Sequence, residues 1–147
     1  MFGFVKAVYR FAALSLLLGA GPVMAAGSAL AIIAHPGNPL TGITQEEVVR
    51  IYLGKTNTFP NGARVSPVDQ RLQSPSREKF YARVMKKTNA EITAHWSKLL
   101  FTGMATPPAV LNDDAAVKAW VAGNAEGLGY VSGNVVDGSV KVLLIVP

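Results

Sequence analysis

Residues 29–35, ALAIIAH, form a continuous apolar run that has the length of one β-strand. A strand that is apolar at nearly every position has no face suited to water, so this run predicts a strand that is covered on both sides. Further strand-like segments alternate with segments whose apolar residues recur at helical spacing, which indicates an α/β fold in one domain. Helices are predicted at 44–55, at 75–85, from 89 onward and at 113–123, strands at 64–68, 127–132 and 140–146, and a loop at 102–112. Thr44 and Glu47 are the predicted capping box of the first helix.

The first 25 residues have the pattern of a secretory signal peptide. Lys6 and Arg10 precede a short apolar segment, and the small residues Val23 and Ala25 stand where a signal peptidase would recognise them. We therefore predict a signal peptide at 1–25 and an exported, periplasmic domain at 26–147. The alternative is an uncleaved N-terminal anchor, for which the apolar segment is short. No later segment is long enough to span a bilayer, so no membrane span is expected after cleavage.

Charge and cysteine content exclude several classes of function. Cleavage would remove two cations and lower the net charge from +5 to about +3, and the chain contains no run of Lys and Arg. Nucleic acid is therefore not an expected partner. The chain also contains no cysteine, so an exported domain of this size must be held together by its core rather than by disulfides.

The sequence shows no catalytic, metal-binding or cofactor-binding pattern. His35 and His95 are far apart and have no clustered acids, so no metal site is predicted. There is no G-x-S-x-G motif, and GLGY at 127–130 lacks the full glycine fingerprint of a dinucleotide site. Asp113 and Asp114 are interpreted as caps at a helix start. We therefore expect a binding protein without a cofactor, not an enzyme.

The segment 69–77, DQRLQSPSR, allows two interpretations. Ser74 followed by a proline is a favoured helix start and needs no ligand to explain it, with Arg71 paired to Asp69 and Arg77 to a distant acid. Alternatively, Ser74, Ser76 and the backbone N–H groups of the helix start bind an anion, with an arginine supplying charge. The local sequence leaves both interpretations open.

The ordered set of motifs resembles the second lobe of phosphate-binding proteins of ABC transporters, and especially short forms that have a single lobe. The similar segments are GITQEEVVRIYLGK at 42–55, QSPSREKFY at 73–81, GLGYV at 127–131 and VKVLLI at 140–145. Together they extend over nearly all of the chain after the predicted signal peptide. The resemblance implies an α/β fold, one lobe of a type II periplasmic binding protein, with a mixed sheet flanked by helices.

The resemblance also implies a ligand site. Ser74 and Ser76 match the Ser and Thr of the Ser-Gly-Thr helix start that holds phosphate in the family. Two positions depart from the pattern: Pro75 replaces the glycine and removes one N–H donor, and Gln70 stands where the family has an arginine. The candidate ligand-binding residues are Gln70, Arg71, Ser74, Ser76 and Arg77.

The predicted function is that of a solute-binding protein for phosphate or a related oxyanion, linked to ABC-type phosphate uptake. The family's full-length members close two lobes over the ligand, so an ABC permease, a second lobe or a second copy of the chain is expected to complete the site. The alternative is a periplasmic interaction module that derives from a binding-protein lobe and has lost ligand capture.

Overall fold

The computed structural model describes residues 29–147, and the predicted signal peptide at 1–25 lies outside them. The described residues form five strands and four α-helices. In chain order they are β1 (Leu30–Ala34), α1 (Gln45–Tyr52), β2 (Ser66–Gln70), α2 (Pro75–Phe80), α3 (Asn89–Thr102), β3 (Ala109–Leu111), α4 (Asp114–Ala122), β4 (Gly127–Ser132) and β5 (Lys141–Val146). A π-helical turn at Tyr81–Met85 continues α2, and a 3₁₀ turn at Gly133–Val135 follows β4.

The strands form one mixed sheet in the order β3-β2-β4-β1-β5. β2 runs parallel to β3 and β4, whereas β1 runs antiparallel to β4 and β5. All five residues of β1 are buried, as its apolar sequence predicts. The predicted α/β fold with a mixed sheet is confirmed.

Helices cover both faces of the sheet, which gives two apolar cores. On one face, alternate residues of β1 and β4, among them Ile32 and Tyr130, pack with residues of α1, α2, the π-helical turn and α3. On the other face, Ile33 and Val131 pack against Val117 and Val121 of α4. The alternation of side chains along each strand therefore assigns successive residues to different cores.

The helix ends follow the local sequence closely. Thr44 and Glu47 form the predicted capping box at the start of α1, and Ser74 caps α2 with a proline at the first helical position. Gly54, just after α1, has a positive φ of 70°, which residues with a Cβ rarely adopt. These ends depend on short-range hydrogen bonds and backbone conformation, so they are predictable without the tertiary structure.

Two strand predictions differ from the structure. β2 is observed at Ser66–Gln70 rather than at 64–68, and the predicted loop at 102–112 contains the short edge strand β3. β3 has only three residues and follows two prolines, so its sequence carries almost no strand signal. It forms because β2 offers a parallel partner along Val68, Asp69 and Gln70.

The parallel strands β2 and β4 end at the same edge of the sheet, and two helices begin there. Gln70 is the last residue of β2, and Ser132 is the last residue of β4. α2 starts a few residues after β2, and α4 starts directly after β3 at this same edge. Crevices outside the carboxyl ends of strands are common ligand sites in α/β sheets. Within residues 29–147, no helix has both the length and the apolar character needed to cross a bilayer.

The contact between β4 and α4 leaves no room for a side chain at Gly129. A Cβ at this position would lie 2.5 Å from Val117 Cγ1 and 3.3 Å from Val121 Cγ2. We expect Gly129→Ala to lower the free energy of unfolding by about 1–3 kcal/mol, because the buried helix must shift. Gly138→Ala is the matched control, since a Cβ at Gly138 meets no atom within 4 Å and its φ is not positive. Urea unfolding measures both, and equal stability of the two variants would contradict the packing argument.

Candidate functional site

A buried ion pair lies beneath the edge of the sheet where α2 begins. Arg77 Nη1 is 2.8 Å from Asp69 Oδ2, and Arg77 is only 9% exposed. The same nitrogen donates to the backbone carbonyl of Gln70 at 3.0 Å, and the guanidinium carbon lies 4.4 Å from the ring centroid of Tyr81. Arg77 Nε is buried without a hydrogen-bond partner among the described residues. Arg77 therefore faces the interior and is committed to Asp69.

Three more donors converge on the carboxylate of Asp69. The hydroxyl of Tyr81 donates to Oδ2 at 2.5 Å, the hydroxyl of Tyr130 donates to Oδ1, and the N–H of Gln70 donates to Oδ1 at 2.8 Å. Burial, and next the negative charge of Asp69, raise the pKa of both tyrosines far above the ordinary value. Both phenols thus stay protonated and remain hydrogen-bond donors to Asp69.

The side chain of Gln70 connects this network to the helix starts. Gln70 is fully buried, and its Oε1 accepts from the hydroxyl of Ser74 at 2.5 Å. Its Nε2 donates to Asp114 Oδ1 and to the carbonyl of Tyr130, both at 2.9 Å. Ser74 Oγ also accepts from the N–H of Arg77 at 3.4 Å. Of the five predicted ligand residues, Gln70, Ser74 and Arg77 are therefore bonded to one another.

The other two predicted residues, Ser76 and Arg71, line a cavity of about 510 Å³, and Gln70 and Ser74 of the network line it as well. Ser76 is 5% exposed, and its hydroxyl forms no hydrogen bond with any other described residue. Arg71 is exposed and has no carboxylate within 4.0 Å in the described part of the chain. Asp69 pairs with Arg77 and not with Arg71, so the pairing considered from the sequence alone was wrong. The cavity thus keeps one hydroxyl and one guanidinium available.

A second wall of the cavity comes from the start of α4 and was not predicted as part of a site. Asp113 and Asp114 line it, together with Ser132 at the end of β4. Asp113 caps α4 by accepting from the N–H of Ala116 at 2.9 Å, as the sequence indicates. Asp114 does more than its predicted role, because its two oxygens accept from the side chain of Gln70 and from the N–H of Ser132. No local signal identifies this wall, since it depends on the parallel pairing of β2 with β3.

Removal of the carboxylate at position 69 would leave a buried guanidinium without its counter-charge. We expect Asp69→Ala to lower the free energy of unfolding by about 3–5 kcal/mol. Tyr81→Phe removes one hydrogen bond to the same carboxylate and is expected to cost about 1.5–3 kcal/mol. Asp137→Ala is the control: it breaks the exposed ion pair with Lys118, which contributes little because it is solvated. Denaturant unfolding of the three variants tests this order, and similar losses at positions 69 and 137 would refute it.

No protein-family model matches the chain, and no curated protein matches it. The structure is similar to an ABC-type phosphate transport receptor from Vibrio cholerae (26% identity, TM-score 0.64). It is also similar to a Clostridium perfringens protein described as a phosphate ABC transporter substrate-binding protein and solved with bound phosphate (24% identity, TM-score 0.63). A third similar structure is PstS from Borrelia burgdorferi (17% identity, TM-score 0.59).

Each of these matches covers 78% of this chain but only 44–46% of the solved protein. The chain therefore spans less than half the length of its structural neighbours. At identities of 17–26%, the similarity concerns the fold. The resemblance indicated by the sequence motifs is confirmed: the chain has the fold of one lobe of the substrate-binding proteins of phosphate ABC transporters.

Proposed function

We propose that this chain is an exported solute-binding-protein-like domain that binds phosphate or a related oxyanion in the cavity at the start of α2. The observation that carries the proposal is the pair formed by Ser76 and Arg71, which line this cavity; within residues 29–147 the hydroxyl has no hydrogen-bond partner and the guanidinium has no carboxylate beside it. The neighbours whose names refer to phosphate make an oxyanion the first ligand to test.

The proposed chemistry uses one neutral and one charged donor. Ser76 would donate its hydroxyl to an oxyanion oxygen, and Arg71 would supply a guanidinium, whose hydrogen bonds to anions are about twice as strong as neutral ones. Lys79 lines the same cavity and adds positive charge. Pro75 has no N–H, so side chains must supply much of the binding. Gln70, Ser74 and Arg77 would act beneath the ligand by holding the start of α2 in place.

The proposed site faces solvent on one side. Arg71 and Asp113, which belong to its lining, are both exposed. Water competes for each hydrogen bond in such a cavity, so the affinity of the isolated chain is expected to be low. We propose that a second body closes over the cavity, either a second copy of the chain, a separate lobe or the permease of an ABC-type uptake system.

A second candidate function is supported by the network itself. Gln70, Ser74 and Arg77 satisfy one another, which leaves only part of the predicted ligand set to meet an anion. On this alternative, the chain is a periplasmic interaction module that derives from a binding-protein lobe and has lost ligand capture. The two candidates differ in whether an oxyanion stabilises the chain selectively.

Thermal unfolding of the purified protein with phosphate, sulfate or chloride at matched ionic strength tests the proposal. Phosphate at about 100 times its Kd adds about 2.7 kcal/mol of stability, which raises the midpoint by several degrees in a domain of this size. We expect affinity losses of about 0.5–1.5 kcal/mol for Ser76→Ala and about 1.5–3 kcal/mol for Arg71→Gln. Arg64 is an exposed arginine just before the start of β2, at the opposite end of that strand from Arg71. Arg64→Gln is therefore the control and should bind phosphate normally.

Ser74→Ala separates the two roles of the helix start. Because Ser74 bonds Gln70 and Arg77, we expect this variant to lose about 1 kcal/mol of stability even without phosphate. No selective stabilisation of the parent protein by any oxyanion at millimolar concentration would reject the binding function and favour the interaction module.

Export is tested by the mass of the protein after expression with its complete N-terminus. Val23 and Ala25 are small residues at the positions required for cleavage, so we expect a periplasmic protein that begins at Ala26. Intact-mass measurement of the periplasmic fraction determines the first residue. Recovery of the uncleaved chain in the membrane fraction would support the N-terminal anchor instead.

A further inference from the structure

The cavity at the start of α2 has two walls of opposite chemistry. One wall carries Arg71, Ser76 and Lys79, which offer positive charge and a hydroxyl donor. A second wall carries Asp113 and Asp114, which offer carboxylate oxygens. A fully ionised oxyanion such as sulfate uses only the first wall and is repelled by the second, because like charges in one cavity disfavour each other, whereas inorganic phosphate at neutral pH keeps one or two P–OH protons that a carboxylate can accept.

No cation within residues 29–147 forms an ion pair with the two carboxylates. Neither Asp113 nor Asp114 has a Lys, Arg or His nitrogen within 4.0 Å among residues 29–147. Their observed partners are neutral donors: the backbone N–H groups of Ala116 and Ser132 and the side-chain amide of Gln70. The negative charge of this wall therefore acts directly on any molecule in the cavity.

These carboxylates still have room for further donors. An ionised carboxylate offers about four acceptor positions, and the structure uses one on Asp113 and two on Asp114. Asn134, which lines the same wall, adds an amide that can donate and accept. Hydroxyl groups of a ligand are suitable partners for such a wall, because they donate hydrogen bonds without adding negative charge.

The size of the cavity agrees with a ligand that reaches both walls. Its volume of about 510 Å³ lies within the range of about 300–1,000 Å³ that is typical of small-molecule sites. A tetrahedral oxyanion has five non-hydrogen atoms, and one water in the liquid occupies about 30 Å³, so such an ion would fill only a small part of the space. The side chain of Gln70 bonds both Ser74 and Asp114, which holds the two helix starts at a fixed separation.

We infer that the ligand of this cavity is a phosphomonoester with free hydroxyl groups, such as a polyol phosphate, rather than inorganic phosphate. The phosphoryl group lies against Arg71, Ser76 and Lys79, and the hydroxyl groups donate to Asp113 and Asp114. The inference rests on the proposed oxyanion-binding function and adds to it the second half of the ligand.

Calorimetric titration of the purified protein with three probes tests the inference: sn-glycerol 3-phosphate, methyl phosphate and inorganic phosphate. Methyl phosphate is the matched probe, because it is a phosphomonoester of similar charge without an alcohol hydroxyl group. We expect glycerol 3-phosphate to bind about tenfold more tightly than either of the others, which corresponds to one or two hydroxyl contacts. Glycerol alone is expected to bind too weakly to measure.

Asp113→Asn tests the acidic wall directly. Asparagine caps a helix as well as aspartate does, so the start of α4 is expected to persist. The variant should lose at least half of the preference for glycerol 3-phosphate over methyl phosphate, because one of the two carboxylates that accept from the alcohol hydroxyl groups is gone. Glu126→Gln removes a negative charge at the opposite end of β2, beside Ser66, and should leave this preference unchanged.

The outcomes separate this inference from the proposed function. Equal affinity for methyl phosphate and glycerol 3-phosphate would overturn the inference and leave oxyanion binding intact. A preference for glycerol 3-phosphate that persists in full in Asp113→Asn would also overturn it. Absence of binding by all three phosphate probes at about 10 mM, which corresponds to a binding free energy weaker than about 3 kcal/mol, would reject the proposed function as well.

Discussion

The carboxylate of Asp69 is the centre on which the rest of this site depends. It lies at 5% exposure near the end of β2 and accepts hydrogen bonds from a guanidinium, two phenols and a backbone N–H. A buried charge is tolerated only when it is paired and hydrogen-bonded, so the folded chain must bring these donors together near the end of β2. The ion pair thereby joins β2 to α2 and, through Tyr130, to β4.

The network is supported by an aromatic cluster on the same face of the sheet. The ring of Tyr130 stacks on Phe80 at a centroid distance of 4.0 Å, and Phe80 meets Tyr81 edge to face at 5.4 Å. The hydroxyl of Tyr52 donates to the carbonyl of Val68 at 2.8 Å, which connects α1 to the strand that carries Asp69. The cluster excludes water from the ion pair, and the ion pair in turn fixes the orientation of the tyrosines.

Because this network uses Gln70, Ser74 and Arg77, the residues left for a ligand lie above it. Ser76 lies between Ser74 and Arg77 in the first turn of α2, and Arg71 is one residue beyond the end of β2. The position of the cavity, outside the carboxyl ends of β2 and β4, is the one that the strand order predicts for a ligand. The network thus forms the base of the cavity, and the other lining residues carry the groups that would bind a ligand.

The sequence by itself determined the elements of this protein and the order in which they occur. The capping box of Thr44, the cap at Ser74 and the apolar run of β1 depend on interactions within a few residues, and each was predicted correctly. The α/β class and the resemblance to a lobe of phosphate-binding proteins followed from these elements and their order.

Only the tertiary structure decided which of the candidate residues face a ligand. The local sequence does not distinguish Arg71 from Arg77 as a ligand-binding residue. In the structure, Arg71 lines the cavity, whereas Arg77 is buried against Asp69. Asp114 is 44 residues from Gln70 in the chain and bonds to its side chain. The physical reason is that hydrogen bonds and ion pairs between distant segments depend on sheet order and register, which bring β2, β3 and the start of α4 together. No pattern within a single segment encodes that placement.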